Sequence, residues 1–210
     1  MTYPAVSGQV APEALFVPPL RQLRLDRVAG WISNATHPPI IGVFSVLVAA
    51  LVSASVAAWM WGVGYLALAV LLPTLYVAWL VRRGEVADMQ LPDRRQRLKP
   101  YSIAIVCMAL AALTLQWAHA PRLLQQIALI NVIQSAALFL TTLRWKISAH
   151  CASMGALAVL TWALFGAGSL PFCAAVPAVA WARVRLKRHD ATQVLAGAAL
   201  GVAVAWIVLR

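Results

Sequence analysis

Long runs of apolar residues, separated by short polar segments, make up most of the chain after residue 39. A helix needs roughly 20 apolar residues to cross a bilayer, and the pattern contains seven candidate spans. They lie at Ile40–Met60, Tyr65–Val81, Tyr101–His119, Leu123–Leu143, Ser148–Phe165, Leu170–Trp181 and Thr192–Leu209. The sixth is short and contains Pro177. We therefore predict an all-α fold, a polytopic membrane helical bundle of six to seven spans.

The residues before this region form a different kind of segment. Residues 1–19 are rich in Pro and Ala, whereas Leu20–Ile32 resembles a basic amphipathic helix suited to a membrane surface; a polar tether is the alternative. On the face we predict to be apolar lie Leu20, Leu23, Val28, Trp31 and Ile32, with Arg21, Arg24 and Arg27 opposite. We divide the chain into an N-terminal arm, 1–39, and a membrane-embedded domain, 40–210, whose first two spans join at Gly62-Val-Gly64.

Composition and charge support a membrane location. The chain is 62% apolar and carries seventeen Lys and Arg against six Asp and Glu, with a net charge of +11. If the spans alternate, fifteen of the seventeen cations lie on one face of the membrane. The positive-inside rule then places these loops in the cytoplasm. We predict an integral protein of a bacterial or archaeal plasma membrane that does not bind nucleic acid.

The densest positive cluster precedes the last span. Arg183, Arg185, Lys187 and Arg188 are followed by His189 and then by an apolar run. In this run Gly197 and Gly201 form a four-residue repeat of small residues, which favours close helix packing. Such a cluster either anchors to lipid headgroups or binds an anion. The five residues between Arg183 and His189, followed by the start of a helix, favour the anion.

Two further loops on the same predicted face carry candidate anion-binding residues. Ser148 and His150 open the fifth span, where free backbone N–H groups favour anions. Simple N-capping by Ser148 and an interfacial position for His150 are the alternatives. In the loop after the second span, Arg94 and Arg97 share a helical face, although this loop also resembles a stop-transfer charge run.

The fourth span contains amide and hydroxyl side chains on one helical face. Asn131, Gln134 and Ser135 should point into the bundle, where such groups form hydrogen bonds across helices. Contact with a substrate is the less favoured interpretation.

Taken together, the three loops resemble the motifs of the type 2 phosphatidic acid phosphatase (lipid phosphate phosphatase) family. The family motifs are a basic stretch ending Arg-Pro, then Pro-Ser-Gly-His, then Ser-Arg-x5-His-x3-Asp. In this chain the third motif reads Ala182-Arg183-x5-His189-x3-Gln193, followed by Val-Leu-Ala-Gly. The second reads Ile147-Ser148-Ala149-His150, and the first is represented by Arg94, Arg97 and Lys99-Pro100. The resemblance covers roughly residues 82–205.

The resemblance implies a reaction and a role for each matching residue. His189 would attack phosphorus to form a phosphohistidine, and His150 would protonate the leaving alkoxide and later activate water. The residues implied to bind the substrate phosphate are Arg183, Arg94, Arg97, Lys146 and Ser148. Fixed positive charge suits a transition state that spreads negative charge over three oxygens. We accordingly expect a metal-independent hydrolase without a cofactor.

Two departures from the family pattern concern the centre of the proposed site. Gln193 stands where the family has the Asp that orients the nucleophilic imidazole, and a neutral amide cannot stabilise an imidazolium by charge. Asp190-Ala-Thr-Gln193 also matches a capping box, so Gln193 could serve the helix start alone. Ala149 replaces the family glycine.

Other function classes fit the sequence less well. Mg²⁺-dependent prenyl and CDP-alcohol transferases need paired aspartates, and transporters usually carry charges within their spans; this chain has neither feature. We predict a phosphatase acting on a phosphate or diphosphate monoester of an isoprenoid or glycerolipid, with a lipid phosphate and membrane lipids as partners. The alternative is a weakly active or inactive protein of the same fold that binds lipid phosphates. Neither the lipid nor the oligomeric state follows from the sequence.

Overall fold

The computed structural model describes residues 20–86 and 98–210. The described residues are helical and contain no β-strand. In chain order the helices are α1 Leu20–Ala35, α2 Pro38–Ser53, α3 Val56–Leu66, α4 Leu72–Arg82, α5 Leu98–Trp117, α6 Arg122–Thr142, α7 Ala149–Phe165, α8 Leu170–Arg185 and α9 Ala191–Leu209. A π-helical segment, Ala67–Leu71, joins α3 to α4, and a 3-10 turn, Gly166–Ser169, joins α7 to α8.

Several of these helices are apolar enough to cross a membrane. Five continuous stretches of the described residues have the required length and composition, and the bent pair α1–α2 raises the number to six. One of the five, Ala149–Arg185, contains both α7 and α8. Arg183, near the end of α8, lies close to His150, at the start of α7, so this stretch is an antiparallel hairpin.

The predicted turn between the first two spans was misplaced. Gly62 and Gly64 lie inside α3, whereas the chain turns earlier, where Ala54 adopts a left-handed conformation and Ser55 caps α3. Neither glycine ends the helix, because the backbone amides of both remain hydrogen-bonded within it. The sixth predicted span, which contains Pro177, corresponds to α8 and extends beyond Trp181 to Arg185.

Helix α7 is the centre of the bundle. Ten of its seventeen residues are buried, and it contacts α2, α6, α8 and α9. Its contact with α9 is made through glycines. A Cβ atom at Gly201 would lie 1.9 Å from the carbonyl oxygen of Ala152, and one at Gly197 would lie 2.4 Å from that of Ser148. The small-residue repeats thus let two backbones touch, as expected for close membrane-helix packing.

Helix α1 packs along α8. Ala29 and Ser33 are buried, and Asp26 forms a salt bridge with Arg185 at 2.7 Å. Of the residues predicted to form an apolar face, Leu23, Val28 and Trp31 are exposed, whereas Ile32 packs against the hydrophobic core. That α1 lies on a membrane surface remains a prediction.

Candidate functional site

One cavity contains most of the residues that the sequence singled out. Its volume is about 310 Å³, and it lies among α2, the α3–α4 helix and α5 to α8. One end is basic, and the described residues lining the cavity include no Asp or Glu. The residues of this basic end are His37, Lys146, His150, Arg183, Arg188 and His189.

His189 lies just before α9, and its imidazole is held by that helix. Its Nδ1 is 2.9 Å from Oε1 of Gln193. Because an amide oxygen can only accept, this contact places a proton on Nδ1, and in the neutral imidazole the lone pair is then on Nε2. The side chain of Gln193 is therefore placed to orient His189.

Asp190 is the N-cap of α9, as its match to a capping box predicts. Its carboxylate accepts a hydrogen bond from the backbone N–H of Gln193 at 2.8 Å and another from the Thr192 hydroxyl at 2.6 Å. Hydrogen bonds from Thr192 and from the Gln193 backbone lower the pKa of Asp190. Capping and orientation thus coexist, because they use the backbone and the side chain of Gln193 separately.

His150 lies in the first turn of α7 and borders the same cavity. It is 8% exposed and lies within the range of charge interaction of Arg183, His37 and His189. The Ser148 N–H donates to the Gln193 carbonyl at 3.1 Å, which ties the start of α7 to the start of α9. The two histidines, 39 residues apart in sequence, are brought together by this pairing.

Arg183 is the buried cation of the site. It is 6% exposed, and its guanidinium donates to the Ser33 hydroxyl at 2.6 Å. After α8 the chain turns sharply at Lys187, which adopts a left-handed conformation. The N–H of Arg188 then donates to the Arg183 carbonyl at 3.1 Å. This turn places His189 and Arg183 on the same cavity.

The remaining predicted phosphate-binding residues differ in their positions. Lys146 lines the cavity, and its ammonium donates to the Arg188 carbonyl at 3.2 Å. Ser148 is fully buried, is not among the described residues lining the cavity, and caps α7 through the Cys151 N–H at 3.4 Å. Arg94 and Arg97 lie outside the described residues.

Two residues of the site, His37 and Ser33, were missed in the sequence. His37 lies between α1 and α2, and its ring meets that of His150 edge to face at a centroid distance of 5.4 Å. Burial, and then the charge of Arg183, lower the pKa of His37. Ser33 holds Arg183, and Arg188 lines the cavity. The Pro-Pro pair after His37 predicts a break in the helix, but it does not indicate which residues His37 contacts.

Beyond the basic end, the cavity is lined by apolar side chains from four helices, among them Val70, Val77, Ile105 and Leu138. A group of polar residues lies among them, which we call the polar belt. Its members are Tyr65, Asn131, Gln134, Ser135 and Ser153.

Hydrogen bonds across helices connect the polar belt, as predicted for the fourth span. Asn131 donates to the Tyr65 hydroxyl at 2.8 Å, Gln134 to the Ser153 hydroxyl at 3.4 Å, and Ser135 to the sulfur of Met108 at 3.3 Å. The same residues also border the cavity, so bonding within the bundle and contact with a ligand are compatible here.

Comparison with known proteins gives no relative. No family model, no curated protein and no solved structure matches the chain.

Proposed function

We propose that the protein is an integral membrane phosphatase that hydrolyses the phosphate ester of a lipid through a phosphohistidine at His189. The observation that carries the proposal is the single cavity that joins two histidines and buried Arg183 to an apolar region. A phosphate fits the basic end, and a hydrocarbon chain fits the rest. The resemblance to type 2 phosphatidic acid phosphatases agrees with this proposal and remains a prediction.

The proposed first step uses the tautomer that Gln193 sets. With its proton on Nδ1, His189 attacks phosphorus through Nε2. The N–P bond forms as the bond between phosphorus and the lipid oxygen breaks. His150, which takes up a proton when the negative charge of the bound phosphate offsets that of Arg183, gives this proton to the departing alkoxide.

In the second step His150 acts as the base. It takes a proton from water, which attacks the phosphohistidine, and the P–N bond breaks to release phosphate. Arg183, Lys146 and Arg188 supply fixed positive charge to the phosphate oxygens, which is the main requirement for catalysis of phosphoryl transfer.

We also propose a topology of up to seven crossings, with α1 at the membrane surface and the basic end of the cavity facing the cytoplasm. The cation distribution supports this orientation. A cysteine introduced at Lys187 should resist an impermeant thiol reagent in intact cells. Ready labelling would show that the basic end faces the outside of the cell, and it would not bear on the proposed chemistry.

Phosphate release from lipid phosphates by the purified protein in detergent tests the chemistry. We expect His189→Ala to abolish turnover and EDTA to leave it unchanged, with His119→Ala, at an exposed turn, as the control. His150→Ala should lower the rate of phosphate release most for substrates with poor leaving groups, because these leaving groups need protonation.

Gln193 gives a sharper version of the same experiment. Gln193→Leu should lower kcat about tenfold or more, because the imidazole loses its acceptor. Gln193→Asp should keep or raise the rate, because a carboxylate stabilises the imidazolium. Lipid phosphate binding without turnover in the wild type would favour the inactive alternative. Full activity in His189→Ala would falsify the mechanism.

A further inference from the structure

The end of α1 makes two contacts with the site from a part of the chain outside residues 82–205, which carry the family resemblance. The Ser33 hydroxyl accepts a hydrogen bond from the Arg183 guanidinium at 2.6 Å. The Ser33 backbone carbonyl accepts a hydrogen bond from the His150 imidazole. One residue of the N-terminal arm therefore contacts both the cation that would bind phosphate and the residue that would act as acid.

The sequence explains why this carbonyl is available to a side chain. In a continuing α-helix the His37 N–H would donate to the Ser33 carbonyl, four residues earlier. Pro38 has no N–H to offer the Asn34 carbonyl, and that carbonyl accepts from the His37 N–H at 3.2 Å. The proline after His37 thus diverts the donor that a regular helix would use, and the Ser33 carbonyl bonds to His150 instead.

The junction of α1 and α2 also restricts the plane of the His150 ring. The ring of His37 meets it edge to face at a centroid distance of 5.4 Å. The backbone of α7 fixes the position of the His150 Cα, but the imidazole can still rotate about its side-chain bonds. Contacts with Ser33 and His37 select one of these orientations.

A fixed acceptor has a chemical consequence for an imidazole. It holds the proton on one ring nitrogen and leaves the other nitrogen to exchange a proton with the reacting groups. Gln193 has this position beside His189, and the Ser33 carbonyl has it beside His150. The carbonyl end of a helix also carries partial negative charge, which suits an imidazole that must hold a proton.

We propose that Ser33 is a positioning residue for His150. Its backbone carbonyl sets the orientation and the tautomer of the imidazole, while its hydroxyl separately holds Arg183. The role in acid catalysis rests on the proposed function, whereas the contact between Ser33 and His150 can be tested without turnover.

NMR of the imidazole nitrogens in detergent tests the contact. The chain has four histidines, so isotope-labelled histidine and single replacements assign each ring. At pH 8, where imidazoles are ordinarily neutral, we expect one His150 nitrogen to carry the proton and the other to carry none. A backbone ester at position 34, made with the α-hydroxy analogue of Asn34, turns the Ser33 carbonyl into a weaker acceptor. This change should mix the two tautomers of His150.

The matched control is a backbone ester at position 35, made with the α-hydroxy analogue of Ala35. It also removes one helical N–H, but it weakens the Asn34 carbonyl and should leave the His150 signals as in the wild type. If the first ester does not fold, Pro38→Ala serves the same purpose, because it supplies an N–H to Asn34 and lets the His37 N–H return to Ser33.

Rates of phosphate release separate the carbonyl of Ser33 from its hydroxyl. The ester at position 34 should lower kcat about fivefold for an alkyl lipid phosphate, the effect of one hydrogen bond. An aryl phosphate should be affected much less, since its leaving group needs no proton. Ser33→Ala keeps the carbonyl, so its effect through Arg183 should be the same for both substrates.

The outcomes distinguish this inference from the proposed function. Averaged His150 nitrogens in the wild type would overturn the role of Ser33, as would the same signals and the same leaving-group dependence in the two esters. A tautomer that is set by Ser33 in a protein that releases no phosphate would overturn the proposed function. In that case the contact would stand, and its role in catalysis would not.

Discussion

The α7–α9 pair and the α1–α8 pair both support the basic end of the cavity, but by different means. In α7–α9 the backbones touch at Gly197 and Gly201. In α1–α8 the described hydrogen bonds are made by side chains, chiefly Arg183 with Ser33 and Arg185 with Asp26. Backbone contact fixes two helices relative to each other, whereas side-chain contacts can rearrange.

This difference corresponds to two parts of the proposed reaction. The α7–α9 pair carries His150 and His189, whose separation must be maintained for attack and proton transfer. The α1–α8 pair holds Arg183, which would compensate phosphate charge. We therefore expect the rigid pair to determine whether the chemistry occurs and the α1–α8 pair to adjust how well phosphate is held.

The largest expected effect is in the rigid pair. Gly201→Ala would place a Cβ only 1.9 Å from the Ala152 carbonyl oxygen, so the helices must separate. We expect a loss of about 3 kcal/mol in unfolding free energy and about a hundredfold in kcat, since small misplacements of reacting groups are costly.

The matched control for this change is Gly64→Ala. A Cβ at Gly64 meets nothing within 4 Å, and alanine is the better helix former by about 1 kcal/mol. This variant should be as stable as the wild type or more so. Similar losses in the two variants, measured by thermal unfolding and phosphate release in detergent, would contradict a special role for the α7–α9 contact.

A smaller effect is expected in the α1–α8 pair. Ser33→Ala removes the hydroxyl that accepts from Arg183 at 2.6 Å in a buried setting. Hydrogen bonds to charged groups contribute about 1.5–3 kcal/mol, so we expect a stability loss of that size. The activity should fall about tenfold through KM, since the guanidinium would lose its position.

Asp26→Ala is the control within the same helix pair. The Asp26–Arg185 contact is exposed, and surface salt bridges contribute about 0–1 kcal/mol. Its stability and KM should stay close to those of the wild type. If Asp26→Ala matched Ser33→Ala, the effect would belong to the docking of α1 in general and not to Arg183.

The two regions also differ in how well the sequence predicted them. The last span and the small-residue repeats at Gly197 and Gly201 were predicted because apolar length and glycine spacing are local signals. The Arg183–Ser33 contact joins residues 150 positions apart, and a single serine in a polar arm carries no sign of that partner. His37 was missed for the same reason, although His150, His189 and Gln193 were found from spacing within motifs.

The turn between the first two spans was misplaced for a different physical reason. Gly62-Val-Gly64 has the composition of a turn in water, where exposed backbone is stabilised by solvent. Within an apolar stretch each amide must bond internally, so the helix continues through both glycines and breaks at Ala54 instead. The glycine-rich composition was therefore a poorer guide to the position of the turn than the requirement that backbone N–H and C=O groups form hydrogen bonds within the helix.

The smallest expected effect concerns pH and the junction of α1 with α2. Burial first, and Arg183 second, lower the pKa of His37 below its ordinary value of 6.5. The unfolded chain therefore takes up a proton near pH 6.5 that the folded protein resists. Stability from this residue is complete above that pH and is lost progressively as the pH falls below it.

Replacing His37 should thus reduce acid sensitivity. The wild type should show a larger drop in unfolding temperature between pH 7.5 and pH 5.5 than His37→Phe, which keeps an aromatic ring against His150 but cannot titrate. His119→Asn, at an exposed turn where Asn tolerates the left-handed conformation, should behave as the wild type does. An equal drop in His37→Phe and the wild type would mean that His37 is protonated as readily in the folded protein as in the unfolded chain, and that the α1–α2 junction leaves it open to water.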